Sequence, residues 1–596
     1  MWFTCLVLSI GCLCLFALVS LGVNSTKWGH NKKFSLLKAL FAGVFLSALI
    51  MFIPIHREAA DGSFRGIWRV LWLSVFNAMQ IFGLGCEFGV VTDGMATCPE
   101  ELYLPYTAWV ATLFVLAPVF TFSFVLSLFK NLSAYVKYLR CFFRDVYVFS
   151  ELNEKSLILA EDIKNQNKRA TVVFADVYEN DEEQNCEQIE AARQLGAICF
   201  KKDVLVINFK AHSAKKQVSF FAIGNDETEN LNQAIKLIET YKARPNTRLH
   251  VFSTKTEGEI LLSALDKGEL KVRRINEVQS LVNHLLYEQG QAVFKTDRVL
   301  PDGSKLISAV VVGMGRHGTE MVKALTWFGQ MDGYTLNIDA FDRDPLAEER
   351  FTKLAPELMS PAYNGVRIAG EAQYKINIHS GVDVTTASFA RAIAKLNEAT
   401  FVVVALGNDD VNINTAVDLR MYFERMRIHP QIFAIVYNSQ QKKALEGLRN
   451  YRGQAYDINF IGDMESSYSA DVIIDSALEN DALQRHLKWG QEEEFWTYEY
   501  NYRSSMASAI HMQARIRCGV AGADKAEGEL TEAERDAIEI LEHRRWNAYM
   551  RAEGYVFSGS KDKKSRNDLA KMHHDLVDFS ALSEEEKRKD SSVGTK

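Results

Sequence analysis

Six residues, Gly313-Met314-Gly315-Arg316-His317-Gly318, carry the clearest chemistry in this chain of 596 residues. They follow a β-branched run, Ile307–Val312, and lead into Thr319–Trp327, whose apolar spacing is helical. Three glycines so spaced between a strand and a helix let a pyrophosphate approach bare backbone. The first makes the turn, the second admits the anion, the third allows close packing, and the helix N-terminus favours negative charge. A second strand, Thr335–Phe341, ends at Asp342, where a carboxylate can accept hydrogen bonds from a ribose diol. Strand, turn, helix and acid together predict a site for NAD(H) or another adenine nucleotide. No lysine, tyrosine or serine arrangement marks a dehydrogenase, so no catalytic residue, no metal and no enzymatic activity are expected.

Composition narrows the surroundings of that site. The length calls for several domains. A net charge of -7 leaves no global basic field, so no nucleic-acid partner is expected. Nine cysteines without CxxC pairs indicate neither zinc nor a disulfide scaffold. A mean hydropathy of -0.10 conceals a strong asymmetry, because apolar runs crowd into the first 130 residues. Trp2–Val23, Ala39–Ile55 and Tyr103–Phe129 are each read as membrane-spanning helices, the first retained rather than cleaved, for want of a basic flank and a cleavage site.

The fourth apolar stretch, Ile67–Val91, contains Ile81-Phe82-Gly83-Leu84-Gly85. If it spans, Lys27, Lys32 and Lys33 face outward. If it re-enters, they lie inside with Lys130, Lys137, Arg140 and Arg144, and only Arg57 and Arg65 remain outside, which fits better. The five residues resemble the potassium-channel pore, in the place of Thr-Val-Gly-Tyr-Gly. The resemblance implies backbone carbonyls of Ile81–Gly85 lining a cation path. Ile81 and Cys86 depart from that pattern and leave the permeant ion open. A spanning helix with small packing residues is the other reading.

After Arg144 short strands alternate with amphipathic stretches, the pattern of parallel sheets covered by helices. Two Rossmann-like units are expected, 144–300 and 301–488. Ala222-Ile223-Gly224-Asn225-Asp226-Glu227 matches Ala405-Leu406-Gly407-Asn408-Asp409-Asp410, each followed by Asn-x-Asn at Asn230 and Asn412, and Asp176 and Asp203 correspond to Asp342 and Asp383. In the first unit, Ser150-Glu151-Leu152-Asn153-Glu154-Lys155-Ser156 has no glycine and places acids where phosphate would lie, so its site is expected to be vacant or altered. Gly313-Met314-Gly315-Arg316-His317-Gly318, Asp342-Arg343-Asp344-Pro345, Gly381-Val382-Asp383 and Ala405–Asp410 resemble the RCK domains, regulators of potassium conductance related to Trk-type NAD-binding modules. The resemblance implies tandem units forming a ring beneath a pore, with Gly313, Gly315, Gly318, Asp342, Asp383 and Gly407 at a nucleotide.

A linker is expected over 489–530 and a small helical module over 531–596. Thr531-Glu532-Ala533-Glu534 is a capping box. Glu542-His543-Arg544-Arg545-Trp546-Asn547, Gly554-Tyr555, His573–Phe579 and the Leu582-Ser583 segment resemble the ryanodine-receptor repeat. The resemblance implies a sensor of a nucleotide-derived second messenger, with Arg545, Trp546 and Asn547 as ligand contacts, although core packing is the commoner fate of such residues. Ser591–Lys596 reads as a disordered tail. The fold class is thus an α-helical membrane region followed by α/β units and a small α-helical domain. The function expected is a cation channel, a homotetramer in the inner membrane with its C-terminal region cytoplasmic and with lipid, nucleotide and permeant cation as partners. A membrane-disrupting effector of a bacterial nucleotide-signalling or defence system, and a membrane-bound oxidoreductase, are the alternatives.

Overall fold

The computed structural model describes residues 1–25, 32–60, 62–177, 183–359, 374–446, 450–451, 453–474 and 476–595. The chain divides into two compact units, Met1–Phe143 with two short later segments, and the remainder from Arg144.

The first unit is helical. Its helices run Trp2–Ser25, Lys32–Ile55, Phe64–Phe82, Gly89–Gly94 and Glu100–Leu139. Among the described residues one stretch, Glu100–Phe122, is long and apolar enough to cross a membrane, against the three expected; Trp2–Leu18 and Leu40–Ile55 are apolar but shorter. Polar groups are satisfied between helices. The Ser9 hydroxyl donates to the Ser47 carbonyl at 3.0 Å, Trp109 Nε1 to Ser9 Oγ at 2.8 Å and the Tyr106 hydroxyl to the Met51 carbonyl at 2.6 Å. Helix Phe64–Phe82 is inverted for a water-facing element: it buries Gly66, Ser74, Asn77 and Ala78 and exposes Phe64, Ile67, Trp68, Leu71, Trp72, Phe76 and Met79.

The path of that helix is specific. Phe82 packs against Phe41 with ring centroids 4.6 Å apart, about 21 Å along the helix from Ile55 by helical rise. Gly94 returns against Ile55 itself, where a Cβ would meet Ile55 Cγ2 at 2.5 Å. The chain therefore enters and leaves at one end of the bundle before Glu100 begins. The turn differs from the expected carbonyl ladder. Ile81 and Phe82 are helical and buried, Gly83 caps the helix, and both Gly83 N and Gly85 N donate to the Gln80 carbonyl, at 3.1 and 2.9 Å. Leu84 takes the left-handed conformation, φ +58°. Helix closure consumes the backbone geometry that an extended filter would use. Lys27, used above to weigh the topology, lies outside the described residues.

The protein is mixed α/β, with two six-stranded parallel sheets. The first contains β1 (Val146–Phe149), β2 (Thr171–Phe174), β3 (Ile198–Cys199), β4 (Val218–Ala222), β5 (Thr247–Phe252) and β6 (Lys271–Ile275), ordered β3-β2-β1-β4-β5-β6. The second contains β7 (Lys305–Val312), β8 (Tyr334–Asp342), β9 (Tyr374–Ser380), β10 (Phe401–Val404), β11 (Gln431–Ile435) and β12 (Ile458–Ile461), ordered β9-β8-β7-β10-β11-β12. Both follow the doubly wound order 3-2-1-4-5-6, which opens a crevice beside the first strand of each sheet.

The expected linker does not exist as one. Within 489–530 lies the 19-residue helix Glu499–Arg517, whose Met506, Ala507, Ala509, Ile510 and Ala514 share one core with Ile307, Val311, Leu325 and Phe328 of the second sheet and its helix. Ala548, Tyr549, Met550 and Leu576 enter the same core, so 531–596 is not a separately packed module. Helix Glu277–Gln289, assigned by sequence to the first lobe, also packs there through Val282, Leu285 and Leu286. The tail is ordered as well: helix Glu584–Gly594 reaches it, Arg515 Nη1 donates to the Gly594 carbonyl at 3.1 Å and Lys488 Nζ to that of Thr595 at 2.9 Å. Buried cations beneath it need these acceptors, and a hydropathy pattern does not reveal them. Lys596 lies outside the described residues.

Candidate functional site

The glycine turn sits between β7 and helix Arg316–Phe328, at the point where the second sheet reverses its strand order. Each glycine meets a different constraint. Gly313 has φ +96°, and a Cβ on it would lie 2.5 Å from the Ala405 carbonyl oxygen. A Cβ on Gly318 would lie 1.7 Å from the Gly313 oxygen. Gly315 is exposed and a Cβ there would touch nothing within 4 Å; it is the N-cap of helix Arg316–Phe328, whose N–H groups face the crevice.

Asp342 ends β8, and its carboxylate accepts from Met314 N at 2.6 Å and Asp344 N at 2.7 Å. It thereby clamps the glycine loop to the neighbouring strand. Each carboxylate oxygen keeps a second lone pair for a ribose hydroxyl. Asp383 accepts from the Thr385 N–H at 2.8 Å and the Thr385 hydroxyl at 2.7 Å, and Gly407 follows β10 with φ +80°. The structure brings Gly313, Gly315, Asp342, Asp383 and Gly407 to one cleft of about 1000 Å³, with Gly318 directly behind it. That volume is of the size that ligand clefts have.

No family model matches the chain, and no curated protein matches it.

The cleft also draws on residues that sequence reasoning passed over: Lys155, Glu227 and Thr254 from the first lobe, Glu277 from the helix that follows it, and Arg316, His317 and Tyr437 from the second. The Tyr437 hydroxyl meets His317 Nδ1 at 3.2 Å. Burial, together with the nearby Arg316, lowers the His317 pKa despite the opposing Glu277 and Glu320 carboxylates. Arg316 and His317 were legible as the variable letters inside the glycine motif. Lys155 carried no signal, because it opens a helix, Glu154–Gln166, whose preceding turn lacks the motif.

The first lobe repeats the plan with its phosphate position altered, as the acids predicted. Ser150 Oγ accepts from Ile223 N at 3.1 Å, Asn153 Nδ2 donates to the Ile223 carbonyl at 2.8 Å, and the Glu151 carboxylate lies 2.7 Å from where a Gly224 Cβ would be. The two lobes share a hydrogen-bond pattern, shifted by one residue from the matching letters. Asn230 Oδ1 accepts from Gly224 N, whereas Asn412 Oδ1 accepts from Leu406 N, both at 2.7 Å. Glu227 accepts from Thr254 N at 2.8 Å, as Asp409 accepts from Tyr437 N at 3.0 Å. Glu227 therefore corresponds to Asp409, and both lobes use Asn230 or Asn412 to tie the fourth strand to the fifth through a strand-end carbonyl.

The C-terminal candidates are not brought to this cleft. Arg545 and Asn547 are 1% and 2% exposed. Glu542 accepts from Arg545 Nη2 and Arg515 Nη2, each at 2.5 Å, and Asn547 Nδ2 lies 2.8 Å from His543 Nε2. Trp546 is half-buried, with His543 and His573 against it at ring-centroid distances of 6.0 and 4.9 Å. Arg545 and Asn547 are thus core polar residues, because helix Glu532–Ala552 is covered on that face by Glu499–Arg517 and Glu584–Gly594.

Proposed function

We propose that the chain is a membrane-embedded cation channel whose opening is biased by NAD(H) or another adenine nucleotide bound at the Gly313–Gly318 turn. The glycine cradle carries this reading. Gly313 and Gly318 are sterically required, while Gly315 leaves its space open at a helix N-terminus beside the Asp342 carboxylate, which suits a dinucleotide. The resemblance of 144–488 to RCK domains and of 531–596 to ryanodine-receptor repeats supports gating by a nucleotide-type ligand. Apolar exposure supports a multi-pass membrane location: Phe3, Leu8, Leu15, Trp72, Leu104, Val115 and Phe122, on three helices, are all exposed. A tetramer would place the exposed stripe of helix Phe64–Phe82 against neighbours or lipid.

Full-length protein reconstituted in vesicles should pass cation current that changes on adding NAD(H), since a ligand biases an equilibrium only through differential affinity for its states. Gly83→Ala, for which only the Gln80 carbonyl lies within 4 Å, at 3.8 Å, should leave the fold and NAD binding intact, so a loss of current from it would place this turn on the conduction path. Normal current from that variant would exclude Gly83–Gly85 from the conduction path. The closed helix turn at Gln80–Gly85 favours a second reading, an unselective membrane-permeabilising effector with the same sensor. Current without ion selectivity would favour it. A cysteine at Ser63 and one at Glu100, in a background without native cysteines, should be labelled by an impermeant reagent from the same side. Labelling from opposite sides would mean that Phe64–Phe82 spans.

A further inference from the structure

The nucleotide cleft is bounded on one side by the lobe whose own phosphate loop has lost its glycines. Lys155 stands in the first turn of helix Glu154–Gln166, just after that loop, and its Nζ lies 2.7 Å from Glu277 Oε1 and 5.6 Å from the centre of the Tyr468 ring. Glu277 opens helix Glu277–Gln289, which packs on helix Arg316–Phe328, the helix whose N-terminus follows Gly315. The Glu227 carboxylate, at the edge of the same cleft, is held within the first lobe, accepting from Thr254 N at 2.8 Å and the Thr254 hydroxyl at 2.9 Å. Lys155, Glu227, Glu277, Gly315 and Arg316 all line one cleft. Two carboxylates and one ammonium therefore surround the place where the backbone N–H groups await a pyrophosphate. The Lys155 and Glu277 side chains are 35% and 34% exposed, so their charges reach the turn at short range and are screened by salt.

We propose that the site is completed by the first lobe, with Lys155 a phosphate ligand and Glu277 a carboxylate that competes with the pyrophosphate for Lys155. This rests on the reading of the Gly313–Gly318 turn as a dinucleotide site. A pyrophosphate at Gly315 offers Lys155 a denser negative charge than the Glu277 carboxylate, and the displaced acid then repels it. Binding thus exchanges ion-pair partners across the two lobes. The degenerate lobe keeps a function in this arrangement: it lost its own phosphate loop and supplies a lysine to that of its twin. Among the charged groups around the turn, Arg343 and Asp383 lie on the second lobe and do not take part in the exchange.

Full-length protein in detergent is titrated with NAD+ and with adenosine, which lacks the phosphates. Glu277→Gln should bind NAD+ about tenfold more tightly and Lys155→Gln about tenfold more weakly, as the gain or loss of one nearby charge predicts. Lys155→Arg should restore most of the affinity. Adenosine affinity should not move in any variant, and the NAD+ differences should shrink as salt is raised from low to high. The proposal is overturned if Glu277→Gln and Lys155→Gln leave NAD+ affinity unchanged while Gly315→Asp abolishes it, because the turn then binds without the first lobe. It is overturned also if adenosine shifts as much as NAD+, which would mean a general distortion. Absence of NAD+ binding by the wild-type chain removes the dinucleotide reading, and this inference with it.

Discussion

Gly318→Val should unfold the second lobe, whereas Gly315→Asp should leave it folded and unable to bind. At Gly318 the first added carbon would lie 1.7 Å from the Gly313 oxygen and 3.4 Å from Val311 Cγ1. The first neighbour is backbone held by β7, so it cannot rotate away. Overpacking of this kind costs about 3 kcal/mol or more. Gly315 has φ -65°, open space beyond it and the N-cap position, where aspartate is a favoured residue. Its carboxylate would stand where the helix dipole and N–H groups receive the anion, so NAD affinity should fall at least about 100-fold through loss of charge-assisted bonds. Denaturant unfolding and a binding titration separate the two outcomes. Equal stability losses at both positions would mean that Gly315 is structural.

The second large effect is expected at Glu542, far from the cleft. Its carboxylate is 2% exposed and lies between Arg515 and Arg545, themselves 0% and 1% exposed. Glu542→Gln leaves the guanidinium charges uncompensated and should cost about 3–5 kcal/mol. Replacing all three by apolar residues of similar volume should cost far less, since desolvation then disappears with attraction. Burial alone would raise the Glu542 pKa, but Arg545 and Arg515 together hold it below the usual carboxylate range. The stabilisation is therefore fully present above about pH 4.3, the ordinary glutamate value, and is lost as pH falls through the lower folded value. Hydrogen exchange across 584–595 should rise with the loss, because Arg515 also holds the Gly594 carbonyl. An unchanged melting curve for Glu542→Gln would refute the assignment.

How far these residues could be read in advance depended on the range of the interaction. Val146–Phe149 and Ile307–Val312 were legible because β-branched runs beside turn residues are a local signal; the first is a strand with the same bounds, and the second begins two residues earlier, at Lys305. Helix Glu499–Arg517 was not. Its buried face mixes Met506, Ile510 and Met512 with Ser504, Ser505, Ser508, His511 and Arg515, and these polar residues break up the apolar stripe, so the stretch looked like a linker. Arg545 looked like a ligand contact because an arginine beside a tryptophan is ordinarily exposed. Its partner Arg515 is thirty positions earlier, and only folding brings Glu542 between them.

The local requirements of the nucleotide turn, three glycines and an acid at the end of the next strand, were determined by the sequence alone, because each is set by sterics or hydrogen bonding within one βαβ unit. The duplicated strand order also lay within its reach, since the same short-range pattern was written twice. Tertiary structure decided what surrounds the turn. Lys155, Glu227 and Glu277 come from the other lobe and the helix joining the two, more than 35 residues before Gly313, and carry no motif of their own. It also decided the register of the repeat, where backbone hydrogen bonds to Asn230 and Asn412 override the apparent letter match, and the closure of Gln80–Gly85 as a helix cap. In each case the physical reason is the same: a charge or hydrogen-bonding group is defined by its partner, and the partner's position is a property of the packed chain.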